Sequence, residues 1–398
     1  MYQSRIKDGF KTGNMKKIRK WTIIFLLLSP VLMLVGMRVA WWFVPKKPMV
    51  VLAMDKTGLT RDGQEKQPLF WVLKHDRYVR KNGLLYDGSK DYLGLFPLKN
   101  NQYIVKDFQN MSEKDVQHIA SNVDVTYYIG TSGVSIDVAK RSGFTQRGLT
   151  EKDMSFLKEM KKTRKLILAE FNVISSPTKT NVRHEFENEF GIRWTGWIGR
   201  YFTSLDSTNS ELSQWMIRSY MKQHERKWPF TRSGIVFAHE NGTIEILDRK
   251  TDLNEAEPLI HTFSYGINQL EMIERIPYPG WFDIVQMTDS TNHAISAYEL
   301  MVNDKGRKLL NKSGIPIVFP AVIMHKAKDF EFYYFCGNYS DDKIPTNSSY
   351  FIRGQHLALM LDGTSRNQFF YKFFRPMLSS ILQQYYNKRS KIDTEKKQ

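Results

Sequence analysis

The chain has 398 residues, enough for one large α/β domain with additions or for two domains. A hydrophobic share of 41% and an aromatic share of 13% exclude disorder for most of its length. The formal charge of +17 is uneven, with a net +6 in residues 1–20, +3 from Lys388 to the end and +8 between them, a balance that attracts polyanions.

The basic segment 1–20 contains a second start-like stretch, "MKKIRKW", at Met15, so Met1 and Met15 both stand as initiation sites. "WTIIFLLLSPVLMLVGM" then runs from Trp21 to Met37 without a charge, and with "RVAWWFV" it reaches the roughly 20 residues a bilayer core requires. Arg38 stands where a small residue would precede a signal-peptide cleavage site, and no cysteine lies nearby for a lipoprotein signal. The expectation is an uncleaved transmembrane helix over 21–44, with Trp41 and Trp42 as an interfacial belt. Basic residues before the span place the N-terminus in the cytoplasm and the main domain outside a bacterial cytoplasmic membrane, a single-pass topology.

Beyond Pro45–Pro48, "MVVLAMD" reads as a buried strand ending at Asp55. Ser112 and Asp115 form a capping-box pattern ahead of a helix, and "DVTYYIG" follows as a strand. Thr150 and Asp153 repeat the pattern before "KLILAEF", and "TNVRHEFENEF" reads as a helix stopped by Gly191. Helix-then-strand units with continuous apolar strands predict a parallel sheet covered on both faces. The second half differs. "GIVFAHENGTIEIL" is a hairpin around Asn241-Gly242, and "IPIVFPAVIMHKAKDFEFYYFCGNY" a second hairpin-like pair. "NHAISAYELMVNDKGRKLLNKSGIP" reads as a helix ended by Gly314, and "RNQFFYKFFRPMLSSILQQYY" as a closing amphipathic helix.

"MVVLAMD", "DVTYYIG", "RGLTEKDMSFLKEMKKTRKLILAEFN" and "EFGIRWTG" together resemble the class I glutamine amidotransferase-like fold, in its trehalose-utilisation-type branch, and membrane-anchored bacterial proteins that carry it. The likeness covers roughly residues 48–205 and implies a flavodoxin-like sheet. The expected fold class is therefore α/β: an N-terminal transmembrane helix, then a flavodoxin-like parallel sheet with antiparallel additions in the second half. The segments are 1–20 basic, 21–44 membrane, 46–205 amidotransferase-like, 206–387 an α/β extension packed on it, and 388–398 a basic tail. The resemblance implies a nucleophilic cysteine on an elbow, yet the equivalent stretch here is "AEFNVISS" and the only cysteine, Cys336, is far along the chain. Glutamine hydrolysis is not expected.

Asp55, Glu170 and Asn172 fall at strand ends, where open α/β sheets bind ligands. Asp55 and Glu170 are the candidate acid and base, with helix or turn capping as the plainer role. "RWTGWIGRY" interleaves Arg193, Trp194, Trp197, Arg200 and Tyr201, which would stack on sugar rings and pair with anionic groups if exposed, and form core if buried. Ser175 and Ser176 have no identifiable histidine partner, and Asp341-Asp342 reads as a polar loop. No P-loop, G-x-G-x-x-G or H-E-x-x-H is present, so no cofactor and no metal are expected. The functional expectation is an envelope accessory protein that binds a carbohydrate or anionic polymer, with a membrane but no nucleic acid as partner. The alternatives are a carbohydrate-active hydrolase using strand-end carboxylates, or a scaffold in a polysaccharide synthesis or export complex.

Overall fold

The computed structural model describes residues 21, 27–57, 64–97, 103–131, 148–327 and 329–395. A helix over 27–42 (α1) leads to β1 (Lys47–Pro48), β2 (Val51–Asp55), α2 (Gln67–His75) and β3 (Tyr78–Val79), with β1 and β3 paired in parallel. β4 (Tyr92–Pro97) and β5 (Tyr103–Lys106) pair antiparallel. Two helix–strand units follow: α3 (Glu113–Asn122) with β6 (Val125–Gly130), and α4 (Glu151–Lys162) with β7 (Leu166–Glu170). Both helices start in closed capping boxes, Ser112 with Asp115 and Thr150 with Asp153. α5 (Thr180–Phe190) ends at Gly191, whose φ of 63° is the left-handed C-cap that glycine adopts most easily.

The chain then leaves this core. β8 (Ile192–Phe202), α6 (Gln214–Gln223), β9 (Gly234–His239) and β10 (Ile244–Asp248) come next, with β9 and β10 joined through Asn241 and Gly242. β11 (Leu259–Thr262), α7 (Ser264–Leu270), β12 (Arg275–Pro277), β13 (Trp281–Met287), β14 (Asn292–Glu299), α8 (Asp304–Lys312), β15 (Val318–Lys326) and β16 (Glu331–Phe335) follow. α9 (Gly354–Leu361) and α10 (Ser365–Phe369) precede a π-helical turn at Phe370–Phe374 and the closing α11 (Arg375–Glu395). The stretch "NHAISAYE", expected to be helical, is β14; pairing with β11 and β15 overrides the helix preference of its Ala and Glu residues.

A ten-stranded sheet runs β12-β11-β14-β15-β16-β7-β6-β2-β4-β5, and a four-stranded sheet runs β10-β9-β8-β13. In the large sheet β16, β7, β6, β2 and β4 are parallel neighbours, while β5 on one side and β15, β14, β11 and β12 on the other are antiparallel. Taken in chain order the parallel strands read 2-1-3-4-5 across the sheet, which puts the reversal of strand order between β2 and β6. β6, β7 and β16 are buried at every position, as strands covered on both faces must be. Each fully buried Leu, Ile or Phe there contributes about 1.5–3 kcal/mol relative to exposure. One core cluster runs along the large sheet from β12 to β4, and a smaller one lies between α6 and β8–β10.

The fold class thus differs from the one expected: the molecule is a mixed α/β protein built on a large mixed sheet, taking strands from both sides of residue 205. Among the described residues no helix is long and apolar enough to cross a membrane. That finding corrects the transmembrane helix at 21–44, and with it the membrane and single-pass assignments and the cytoplasmic-membrane location. Residues 22–26 of that stretch, like the basic segment 1–20, lie outside the described residues. The rest of the stretch shows the physical reason: the globule claims its C-terminal part. Trp41 is buried, its indole N–H donating to the His75 carbonyl at 3.1 Å, so it is no interfacial belt. Arg38 lies over the Tyr350 ring at 4.2 Å, and Arg77 donates to the Val44 carbonyl at 2.6 Å.

Candidate functional site

The carboxyl ends of the parallel strands carry a largely buried cluster of polar side chains. At the reversal point, β2 delivers Asp55, fully buried. Its Oδ1 accepts from the Thr57 backbone N–H at 3.0 Å and the Thr57 hydroxyl at 2.9 Å; its Oδ2 lies 3.1 Å from the Lys66 ammonium. Lys66 in turn sits 4.2 Å above the Tyr92 ring. Gly94 lets β4 lie this close: its φ is 128°, and a Cβ there would stand 1.7 Å from the Asp55 carbonyl oxygen.

Two strands away, across β6, β7 delivers Glu170, also fully buried. At inter-strand spacings of about 4.8 Å, the two backbone positions are roughly 10 Å apart. The Tyr127 hydroxyl donates to Glu170 Oε2 at 2.7 Å and lies 2.9 Å from the Ser340 hydroxyl. Burial pushes the Glu170 carboxyl well above the usual carboxylate range, against these hydrogen bonds. Asp55 and Glu170 are therefore held by separate partners, and Glu170 Oε1 has no hydrogen-bond partner among the described residues.

The carboxyl that the sequence did not single out is Glu65. It lies in the 3₁₀ turn Gln64–Lys66, directly beside Asp55's partner. Burial, then the neighbouring Asp55 and Asp341 carboxylates, push it up to about 7. Its Oε2 has no hydrogen-bond partner among the described residues. Next to it the Gln64 amide donates to Asp341 Oδ1 at 2.9 Å, and Arg366 donates to the Asp341 carbonyl, also at 2.9 Å. Asp342 is nearly buried and raised to about 6 by that burial, with Arg366 opposing. Among the described residues no group of three or more His, Cys, Asp or Glu side chains is placed to hold a metal ion.

The remaining sequence candidates divide. Asn172, with φ 69°, turns the chain after β7; its Oδ1 accepts from the Ser175 hydroxyl at 3.0 Å and its carbonyl from Thr131 at 3.1 Å. Trp194 and Trp197 are core, the Trp194 indole N–H donating to the Trp197 carbonyl at 2.9 Å and the Arg183 guanidinium stacked over Trp194. Arg193 is exposed, and Tyr201 packs against the main core. Arg200 alone of that segment belongs near the cluster: it pairs with Glu211, and its electrostatic neighbours include Arg366 and Asp341. Cys336 is fully buried, and burial with the nearby Asp283 raises its thiol well above the ordinary value, so it supplies no thiolate nucleophile. Tyr127, Lys66, Ser340 and Arg366 were invisible as site residues because only the fold brings residues so far apart in the chain together.

No family model and no curated protein matches the chain. Solved structures that resemble it include a ThuA-like protein from Bacteroides uniformis (9% identity, TM-score 0.37, covering 83% of this chain and 93% of that one). A ThuA-like protein from Parabacteroides merdae gives 9% identity and a TM-score of 0.35, over 73% of this chain and 79% of that one. The β-galactosidase from Rahnella sp. R3 gives 8% and 0.33, over 80% of this chain but only 32% of its own. ThuA-like, trehalose-utilisation-type proteins are thus among its structural neighbours. At such identities and TM-scores the likeness assigns the chain to no family.

Proposed function

We propose that the strand-end cluster performs acid–base chemistry on a polyhydroxylated substrate, making the protein a carbohydrate-active hydrolase. The observation that carries this reading is Glu65: a carboxyl raised to about 7, one oxygen unpartnered among the described residues, set among other carboxyls near the reversal point of the sheet. A general acid or base works best with a pKa near the working pH, and burial beside like charges is how a glutamate reaches it. Asp55, held by Lys66 and two Thr57 donors, stays in place as the charged neighbour that keeps Glu65 raised.

The strand ends gather five carboxyls (Asp55, Glu65, Glu170, Asp341, Asp342), three of them raised, with Lys66, Arg366 and Arg200, so hydroxyl groups would find both acceptors and donors there. The buried tryptophans of β8 offer no stacking platform, which weighs against the Arg193–Tyr201 segment as the binding surface.

The test is release of the reporter group from a panel of neutral aryl glycosides by the purified protein and by Glu65→Gln. Turnover that falls about 10²–10⁴-fold in the variant supports the assignment. Equal turnover in both proteins removes Glu65 from the chemistry, and no turnover on any member of the panel removes the hydrolase reading.

A further inference from the structure

At the opposite end of the sheet from the strand-end carboxyls, a pocket of about 480 Å³ opens to solvent between the starts of β2 and β4. Its volume falls within the range of small-molecule sites. Val50, Leu52 and Tyr92 supply apolar wall. Lys81 and Lys90, which also line it, are exposed, while Arg80, Asp91 and Asn122 are half-buried.

The lining sets three cations against one carboxylate, a net +2. Arg80 gives one N–H to Asp91 Oδ1 at 2.8 Å, but its Nε–H is buried with no hydrogen-bond partner among the described residues. Lys81 donates to the Asn122 amide oxygen at 2.8 Å, which orients the ammonium without neutralising it. Lys90 pairs with Asp87 at 3.2 Å, and with Asp87 counted the cations are still in excess. Nearby, Lys165 feels the positive charges of Lys81 and Arg389, with Asp124 opposing them. The backbone N–H groups of Val50 and Val51 are taken, by Asp124 at 2.7 Å and the Tyr86 hydroxyl at 2.8 Å, so a ligand meets the cationic side chains. A buried N–H without a partner costs free energy until one arrives, and a guanidinium suits an oxyanion best.

We infer that this pocket is a binding site for a phosphomonoester with an apolar, ring-sized body. The phosphate dianion matches the net +2 of the lining, and Arg80 and Lys81 supply donors for its oxygens. The volume exceeds what a phosphate group alone fills, and the remainder is bounded by Val50, Leu52 and Tyr92, so the body is apolar. The site does not depend on the chemistry proposed for the strand ends.

The test is a calorimetric titration of the full chain with phenyl phosphate, inorganic phosphate and phenyl sulfate, in low salt at about pH 8, where the phosphomonoester is a dianion. Phenyl phosphate should bind most tightly, since inorganic phosphate lacks the body and phenyl sulfate carries one charge less. Lys81→Gln leaves the Arg80–Asp91 pair in place and should weaken phenyl phosphate about tenfold. Lys114→Gln removes a charge from an exposed position of α3 outside the pocket and should leave the affinity unchanged. Equal weakening in the two variants would reduce the effect to the general attraction of a basic chain and overturn the inference. Inorganic phosphate or phenyl sulfate binding as tightly as phenyl phosphate would overturn it too, as would a Lys81→Gln protein that binds like the parent. So would a parent protein that takes up no phenyl phosphate at millimolar concentration.

Discussion

Asp283 lies fully buried in β13, where the small sheet meets β16: its backbone N–H donates to the Cys336 carbonyl at 3.3 Å and its Oδ2 accepts from the Tyr334 hydroxyl at 2.6 Å. Oδ1 has no partner among the described residues, and burial raises the carboxyl from 3.8 to about 7. The folded state therefore holds a proton that the unfolded chain releases between those values. Its contribution to stability is complete below about 3.8 and lost as pH rises through about 7. Asp283→Asn, neutral throughout, should gain on the parent by about 1.4 kcal/mol per pH unit across that window, read from urea unfolding at pH 4 to 7; a constant difference between the two proteins would refute the buried, protonated carboxyl. Burial raises Glu65 by the same rule. Asp55 and Glu170 were legible from the sequence as strand-end carboxyls because the apolar runs before them end there. Glu65 was not, since what raises it includes Asp341, which only the folded sheet brings near.

Among the elements, those whose signals are local were readable: both capping boxes, the Gly191 stop and the Asn241-Gly242 hairpin stand where the sequence places them. β14 was not readable, because its strand character comes from two partner strands rather than from its own residues. The Trp and Arg pattern of β8 likewise reads as a binding stretch until the α5 side chains and the neighbouring strands cover the tryptophans. β4 approaches β2 closely at Gly94. Gly94→Ala would force a Cβ into the Asp55 carbonyl at a backbone angle that side chains rarely adopt, and should cost about 3 kcal/mol or more in thermal or urea unfolding. Since the strand it presses on, β2, carries Asp55, the substitution should lower turnover together with stability. A variant as stable as the parent would show that β4 has room to move.

At the scale of the whole molecule, β16 closes the parallel sheet on β7 although some 160 residues separate the two strands in the chain. A protein ending at residue 205 would leave the β7 edge and its apolar faces open, and should fail to give a cooperative unfolding transition, whereas the full chain should unfold in one. A cooperative transition for the truncated chain would show that the first half folds alone. The same long-range closure brings Asp341 and Arg366 from the last hundred residues to the ends of strands formed in the first, and so creates the setting in which Glu65 is raised. The measurement that tests this account most directly is the pH dependence of kcat/KM for a neutral aryl glycoside, in the parent protein and in Glu65→Gln. The parent should show an inflection near pH 7 that is absent from a variant slower by about 10²–10⁴-fold. An unchanged inflection and an unchanged rate in the variant would contradict it.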